Sequence, residues 1–114
     1  MCKEKEMKIV NTLDGYQLQA ATTAIYPEKT ALHYLSLGLS SEVGEFNGKL
    51  AKWLRKDGDY PKDDLIDELG DVLWFVSELA RLHNIDLSLL AQKNLDKLSS
   101  RKQRGVLKGS GDNR

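Results

Sequence analysis

Four acids in two pairs, Glu42-x-x-Glu45 and Glu68-x-x-Asp71, are the residues whose types and spacing could do chemistry. Residues three apart share one face of a helix, so each pair sets two carboxylates side by side. Both pairs lie in apolar surroundings: Leu39, Val43 and Phe46 flank the first, and Leu65, Leu69, Val72 and Leu73 the second. An unpaired carboxylate is costly to bury, and a hard divalent cation is the simplest compensation. Oxygen donors with no histidine or cysteine in either motif favour Mg²⁺, with Mn²⁺ as a substitute, over zinc or copper. Mg²⁺ keeps positions open for water and phosphate oxygens, so such a site points to a phosphorylated substrate if cationic groups stand near it. On spacing alone, two pairs of solvated acids in a charge-rich chain remain the alternative.

Cationic groups are present at helical intervals. Asn94, Lys97 and Arg101 fall at i, i+3 and i+7, and Lys49 lies one turn beyond Glu45. Taken singly, Lys97 and Arg101 read as a solvated helix face, and Lys49 as an i, i+4 partner of Glu45. Together with the acids they make a metal-plus-phosphate arrangement. His33 and His83 lie outside both motifs and read as helix-end or surface residues. Phe46, Trp53, Trp74 and Phe75 sit at helical spacing and read mostly as core. No Gly-x-x-x-x-Gly-Lys-Ser/Thr loop is present, which excludes a P-loop.

The elements that must position these groups are helical. Asp14 is the expected N-cap of a first helix from Gly15 to Ala24, which Tyr26-Pro27 ends. A second helix is expected from Glu28 or Thr30 to Lys56, with a break or bend near Gly38 or Ser40-Ser41. The connection is Asp57-Gly58-Asp59-Tyr60-Pro61, rich in breakers. A third helix follows from Lys62 to His83, with Asp63 and Asp64 in its first turn. Its apolar stripe, Leu65, Leu69, Val72, Val76 and Leu79, is widened by Ile66, Leu73 and Ala80. A stripe that wide has more than one packing partner, and in so short a chain another subunit is a candidate. The fourth helix is expected from Leu87 to Lys102, after Asn84 as a helix-ending residue. The tail, residues 105–114, is too glycine-rich for a helix. Residues 1–13 read as a weakly structured start, with a short extended piece at Lys8–Val10, and residues 14–104 as one all-α domain, a four-helix-type bundle.

Composition bounds the function. The chain has 114 residues, 30% of them charged, and a net charge of zero, which argues against a partner held through nucleic-acid phosphates. The one cysteine, Cys2, permits no disulfide within the chain and makes thiol catalysis improbable. No apolar run approaches the length of a membrane span, and MCKEKEMK lacks the apolar core of a signal peptide, so a cytoplasmic setting is expected.

The runs LGLSSEVGEF, DELGDVLWFVSELA and NLDKLSSRK, in that order and spacing, resemble the MazG-like all-α nucleoside triphosphate pyrophosphohydrolases. YQLQAATTAIYP and the closing GSGDNR resemble small, phage-type members, and the likeness spans residues 14–114. The resemblance implies a bundle that dimerises through its apolar central helices, as a homodimer or a homotetramer. It implies hydrolysis of (deoxy)nucleoside triphosphates to the monophosphate and pyrophosphate. It places Glu42, Glu45, Glu68 and Asp71 on Mg²⁺, and Lys49, Asn94, Lys97 and Arg101 on substrate. Glu42 or Glu45 would take the proton of the attacking water, and the tail could close over the site or remain disordered. The competing reading is a non-catalytic dimeric bundle that binds a nucleotide or a partner helix in the same groove.

Overall fold

A computed structural model describes residues 7–56 and 58–114 of the chain. Cys2 and Asp57, singled out above, lie outside the described residues. The described residues form four α-helices and no strand: α1 (Leu13–Ala21), α2 (Ala31–Leu54), α3 (Lys62–Leu82) and α4 (Leu87–Gln103). A single 3₁₀ turn, Glu28–Thr30, leads into α2. Lys8–Val10 is not a strand, although the Lys8 N–H donates to Gln19 Oε1 at 2.6 Å.

Helix α1 is shorter than its sequence suggests, and its cap is not Asp14. Thr12 is the N-cap, its Oγ1 accepting from the Gly15 N–H at 2.9 Å. The helix stops at Ala21 because the next two threonines turn their hydroxyls back onto it. Thr22 Oγ1 donates to Gln19 O at 2.6 Å and Thr23 Oγ1 to Ala20 O at 2.7 Å. Such local bonds compete with helix continuation.

Asp14 and Gln17 instead cap α4. Asp86 makes no side-chain cap bond of its own. The Ser88 N–H donates to Asp14 Oδ1 at 2.9 Å, and the Ser88 hydroxyl to Asp14 Oδ2 at 2.6 Å. The Leu87 N–H donates to Gln17 Oε1 at 3.0 Å. Two of the orphan donors that open any α-helix are thus satisfied from another helix. Gln17 is buried, and its Nε2 also donates to Ile85 O at 3.1 Å. One side chain therefore ties α1 to the end of the turn that leads into α4.

Helix α2 runs for 24 residues without a break. Gly38, expected to bend it, serves a different purpose. A Cβ there would overlap the Phe75 ring of α3, so this glycine lets the two helices approach closely. Helix α3 ends as its sequence suggests. Asn84 takes the left-handed conformation at φ 55°, and the Ile85 N–H closes onto Ala80 O at 2.9 Å. Gly105, at φ 71°, ends α4 in the same manner.

The α2–α3 hairpin is the main packing unit; α1 lies on α3 and α4, and α4 touches α1 and α3 but not α2. An aromatic group stitches the α1–α2 connection to α3. Tyr26 stacks on Tyr34 at 5.2 Å, and Trp74 stands edge-on to Tyr26 and to Phe75. Trp74 Nε1 donates to Thr23 Oγ1 at 2.8 Å. Trp53, expected in the core, is partly exposed at the hairpin end, edge-on to Tyr60 at 5.0 Å.

The core of a single chain is small: among the described residues, Ala20, Ala31, Leu35, Leu65, Ala80 and Leu87 are the buried apolar ones. Beneath the aromatics, Glu78 is fully buried and accepts from Tyr26 Oη at 2.6 Å and from Arg81 Nε and Nη2, each at 2.8 Å. Much of the wide α3 stripe faces outward, with Leu69 54% and Ile66 52% exposed. The radius of gyration is 17.4 Å, against about 13 Å for a compact chain of this length. One chain alone leaves apolar helix faces uncovered.

Candidate metal centre

Glu42 on α2 and Glu68 and Asp71 on α3 each bring an oxygen into one cluster, all within 4.8 Å of one another. The hairpin makes this convergence. Gly38 lies one turn before Glu42 and Phe75 one turn after Asp71, so their close contact sets the helix spacing at the level of the acids. Burial is graded across the cluster: Glu68 is 9% exposed, Glu42 is half-buried and Asp71 is exposed. The expectation that all the acids are buried is therefore too strong. Val43, beside Glu42, is exposed as well, because no other helix of the same chain covers that part of α2.

Glu68 is the pivot. Its Oε1 accepts from Lys49 Nζ at 2.7 Å. Its Oε2 is buried and has no hydrogen-bond donor. The Lys49 ammonium holds the Glu68 carboxyl below its ordinary pKa, against the opposing effect of burial. Glu42 moves the other way. Burial pushes it up first, aided by Glu68 and by the negative charges of Asp71 and Glu45. Ionised carboxylates only accept, so Glu42 and Glu68 can bond directly only when Glu42 carries a proton. A divalent cation removes the need for that proton. A donorless buried oxygen beside two further carboxylates, with neither histidine nor cysteine among the described residues of the cluster, fits a hard cation.

Glu45 stands outside the three-acid cluster and lines an open groove with Ser41, Gly44, Gly48, Lys49 and Lys52. Its charge still reaches Glu42 and Lys49. Lys49 bonds across the hairpin to Glu68 rather than along α2 to Glu45. Helical spacing could not show this, because the partner belongs to the next helix.

The basic residues of α4 are elsewhere. Asn94 is exposed, and Lys97 Nζ and Arg101 Nη2 each lie 3.4 Å from Asp112 Oδ1 in the tail. Arg101 is 5% exposed, donates to Asp112 O at 3.1 Å, and has a buried Nε without a partner. Arg114 gathers the tail by donating to the carbonyls of Val106, Leu107 and Gly111. Among the described residues, Asn94, Lys97 and Arg101 share no hydrogen bond or ion pair with the acids.

His33 is exposed, and His83 caps α3 with Nδ1 2.8 Å from Leu79 O, so neither joins the cluster. Tyr16 of α1 is a neighbour of the site that helical spacing does not single out. Burial raises its phenol pKa first, and the charges of Asp71 and Glu78 add to it. No spacing in the sequence connects α1 to those acids.

An all-helical hairpin carrying these acids belongs to a known class. Residues 30–106 match the model of the MazG nucleotide pyrophosphohydrolase domain, and the chain belongs to that family. The family is one of nucleotide pyrophosphohydrolases, divalent-metal-dependent in general, with nucleoside triphosphates as the implied substrates. The chain is also similar to the Gene 37 protein of Mycobacterium phage L5, 48% identical over 112 residues that span 90% of this chain and 98% of that protein. No solved structure matches the chain significantly. No helix among the described residues is long and apolar enough to cross a membrane.

Proposed function

We propose that the protein hydrolyses (deoxy)nucleoside triphosphates to the monophosphate and pyrophosphate, with Mg²⁺, or Mn²⁺ in its place, at Glu42, Glu68 and Asp71, and that it works in the cytoplasm. The observation that carries this reading is the convergence of three carboxylates, one of them the Glu68 group with a buried, donorless Oε2, inside the family-matched segment.

A Mg²⁺ ion held there would supply charge neutralisation at the α-phosphorus and make a nearby water more acidic. The remaining work falls to the chain. Glu42, Glu68 and Asp71 would hold the cation through carboxylate oxygens, and Glu45 would join them or face the water from the adjoining groove. Glu45 is exposed and free of the cluster, so it is the better placed of Glu42 and Glu45 to accept the water's proton. The water oxygen bonds to the α-phosphorus, the bond to the bridging oxygen of the β-phosphate breaks, and pyrophosphate leaves. Lys97 and Arg101, with Asn94, stabilise charge on that leaving group. Within one chain these residues share no hydrogen bond or ion pair with the three acids, so they act from a second copy of the protein, in a homodimer or homotetramer joined through the uncovered faces of α2 and α3.

The test is product analysis by ³¹P NMR with Mg²⁺ and a panel of deoxynucleoside and nucleoside triphosphates. Monophosphate plus pyrophosphate is the expected outcome. Orthophosphate plus diphosphate would require a different bond to break, and absence of turnover across the panel would favour a nucleotide-binding module.

A further inference from the structure

Lys49 occupies a position that the family resemblance would give to a substrate contact, yet its ammonium is spent elsewhere. It reaches across the hairpin to Glu68 Oε1 at 2.7 Å, and its side chain is only 32% exposed. The bond engages one oxygen of the carboxylate and leaves the other, Oε2, buried and without a donor, in a residue whose carboxylate lies within 4.8 Å of those of Glu42 and Asp71. A carboxylate held in this way offers a single, directed lone-pair set to a cation. Partners outside the ligand shell that orient metal-binding side chains in this manner typically set metal affinity within a factor of about 10–100.

We propose that Lys49 is a positioning residue for the metal centre: it holds Glu68 by one oxygen so that the other faces the cation, and it acts on catalysis through that metal ligand rather than by binding the nucleotide. The inference rests on the metal-dependent reading of the site given above. Two effects compete when Lys49 is removed. Loss of a positive charge near the acids would strengthen cation binding, whereas loss of the Glu68 bond would weaken it. Lys49 is partly exposed, so water and salt screen its repulsion of a cation. The hydrogen bond, by contrast, lies against a residue with little access to solvent. Positioning therefore outweighs repulsion.

The test is Mn²⁺ binding in the absence of nucleotide, measured by calorimetry and by the loss of free-Mn²⁺ electron paramagnetic resonance signal. Lys49→Met, which keeps an unbranched apolar stem and removes the bond, is expected to weaken Mn²⁺ binding about tenfold or more. Lys49→Arg, which can still donate to Glu68, is expected to recover part of the loss. At saturating Mn²⁺ the nucleotide KM of Lys49→Met should match that of the unaltered protein, and the helical circular dichroism of both variants should be unchanged. Unaltered Mn²⁺ affinity with a raised KM would make Lys49 a substrate contact. Tighter Mn²⁺ binding would make it a competitor for the metal position. Either result overturns the proposal and leaves the metal centre standing. Failure of the unaltered protein itself to bind Mn²⁺ would remove the metal-dependent function and this role together.

Discussion

Replacing Gly38 by alanine should destabilise the protein although it puts a better helix former in the middle of α2. In an open helix position, glycine to alanine gains about 1 kcal/mol. At Gly38 the new methyl would overlap Phe75 Cε1 and Cζ and lie 3.0 Å from Cδ1. The ring has little freedom to retreat, with Tyr34 6.1 Å away on one side and Trp74 edge-on at 5.0 Å on another. Overpacking of this kind costs about 1–3 kcal/mol. Gly44 provides the internal reference, since a Cβ there meets nothing within 4 Å. The difference between Gly38→Ala and Gly44→Ala cancels helix propensity and isolates the packing effect, expected at about 2 kcal/mol. For a chain of this size that is a gap of about 8 °C in Tm. Thermal melts at one fixed protein concentration measure it, because association would shift Tm by mass action. Phe75→Leu in the Gly38→Ala background should recover most of the loss. The same substitution spreads the hairpin one turn from Glu42 and Asp71, so Gly38→Ala should also weaken Mn²⁺ binding. Equal stabilisation by the two alanines would refute the close-approach argument.

Asp71→Asn should abolish both Mn²⁺ binding and turnover, whereas Glu45→Gln, outside the three-acid cluster, should lose turnover while keeping most of the Mn²⁺ affinity; calorimetry beside product analysis separates the two. Gln17→Ala should cost about 2 kcal/mol in urea unfolding, because it orphans the Leu87 N–H and the Ile85 carbonyl inside the α3–α4 turn. Glu78→Gln should cost about 2 kcal/mol at neutral pH, less than a fully buried pair because Arg81 is 47% exposed. Arg81 and then Tyr26 hold the Glu78 carboxyl below its ordinary value of 4.5, against burial. Its stabilisation is therefore complete above that value and fades as pH falls through the depressed one. The stability gap between the unaltered protein and Glu78→Gln should be constant through neutral pH and narrow below about 4.5.

The parts of this fold legible in the sequence are those governed by local rules. Pro61 and Asn84 bound α3, and Gly105 ends α4, because each acts on its own backbone. The i, i+3 spacing of Glu68 and Asp71 likewise sets both on the side of α3 that meets Glu42. What local rules cannot supply is the partner. Asp14 reads as a cap for α1 and caps α4. Lys49 reads as a partner of Glu45 and bonds Glu68. Gly38 reads as a break and is a clearance for an aromatic ring. In each case the residue type announces a need, for an N–H, an anion or space, and tertiary packing decides which element meets it. The acids are less buried than their apolar sequence neighbours suggest, for a related reason. Apolar neighbours in sequence show that a surface needs covering, but not that the same chain covers it.

The capping of α4 by α1 has a mechanical consequence. The clamp grips only the first turn, at Leu87 and Ser88, while Arg101 lies thirteen residues further along. At 1.5 Å per residue the helix is an arm of about 20 Å beyond its pivot. A tilt of about 10° at the clamp carries the guanidinium end through about 3 Å, roughly the reach of one hydrogen bond. A small adjustment where Gln17 and Asp14 hold the pivot would therefore be amplified at Lys97 and Arg101, from a helix that carries neither.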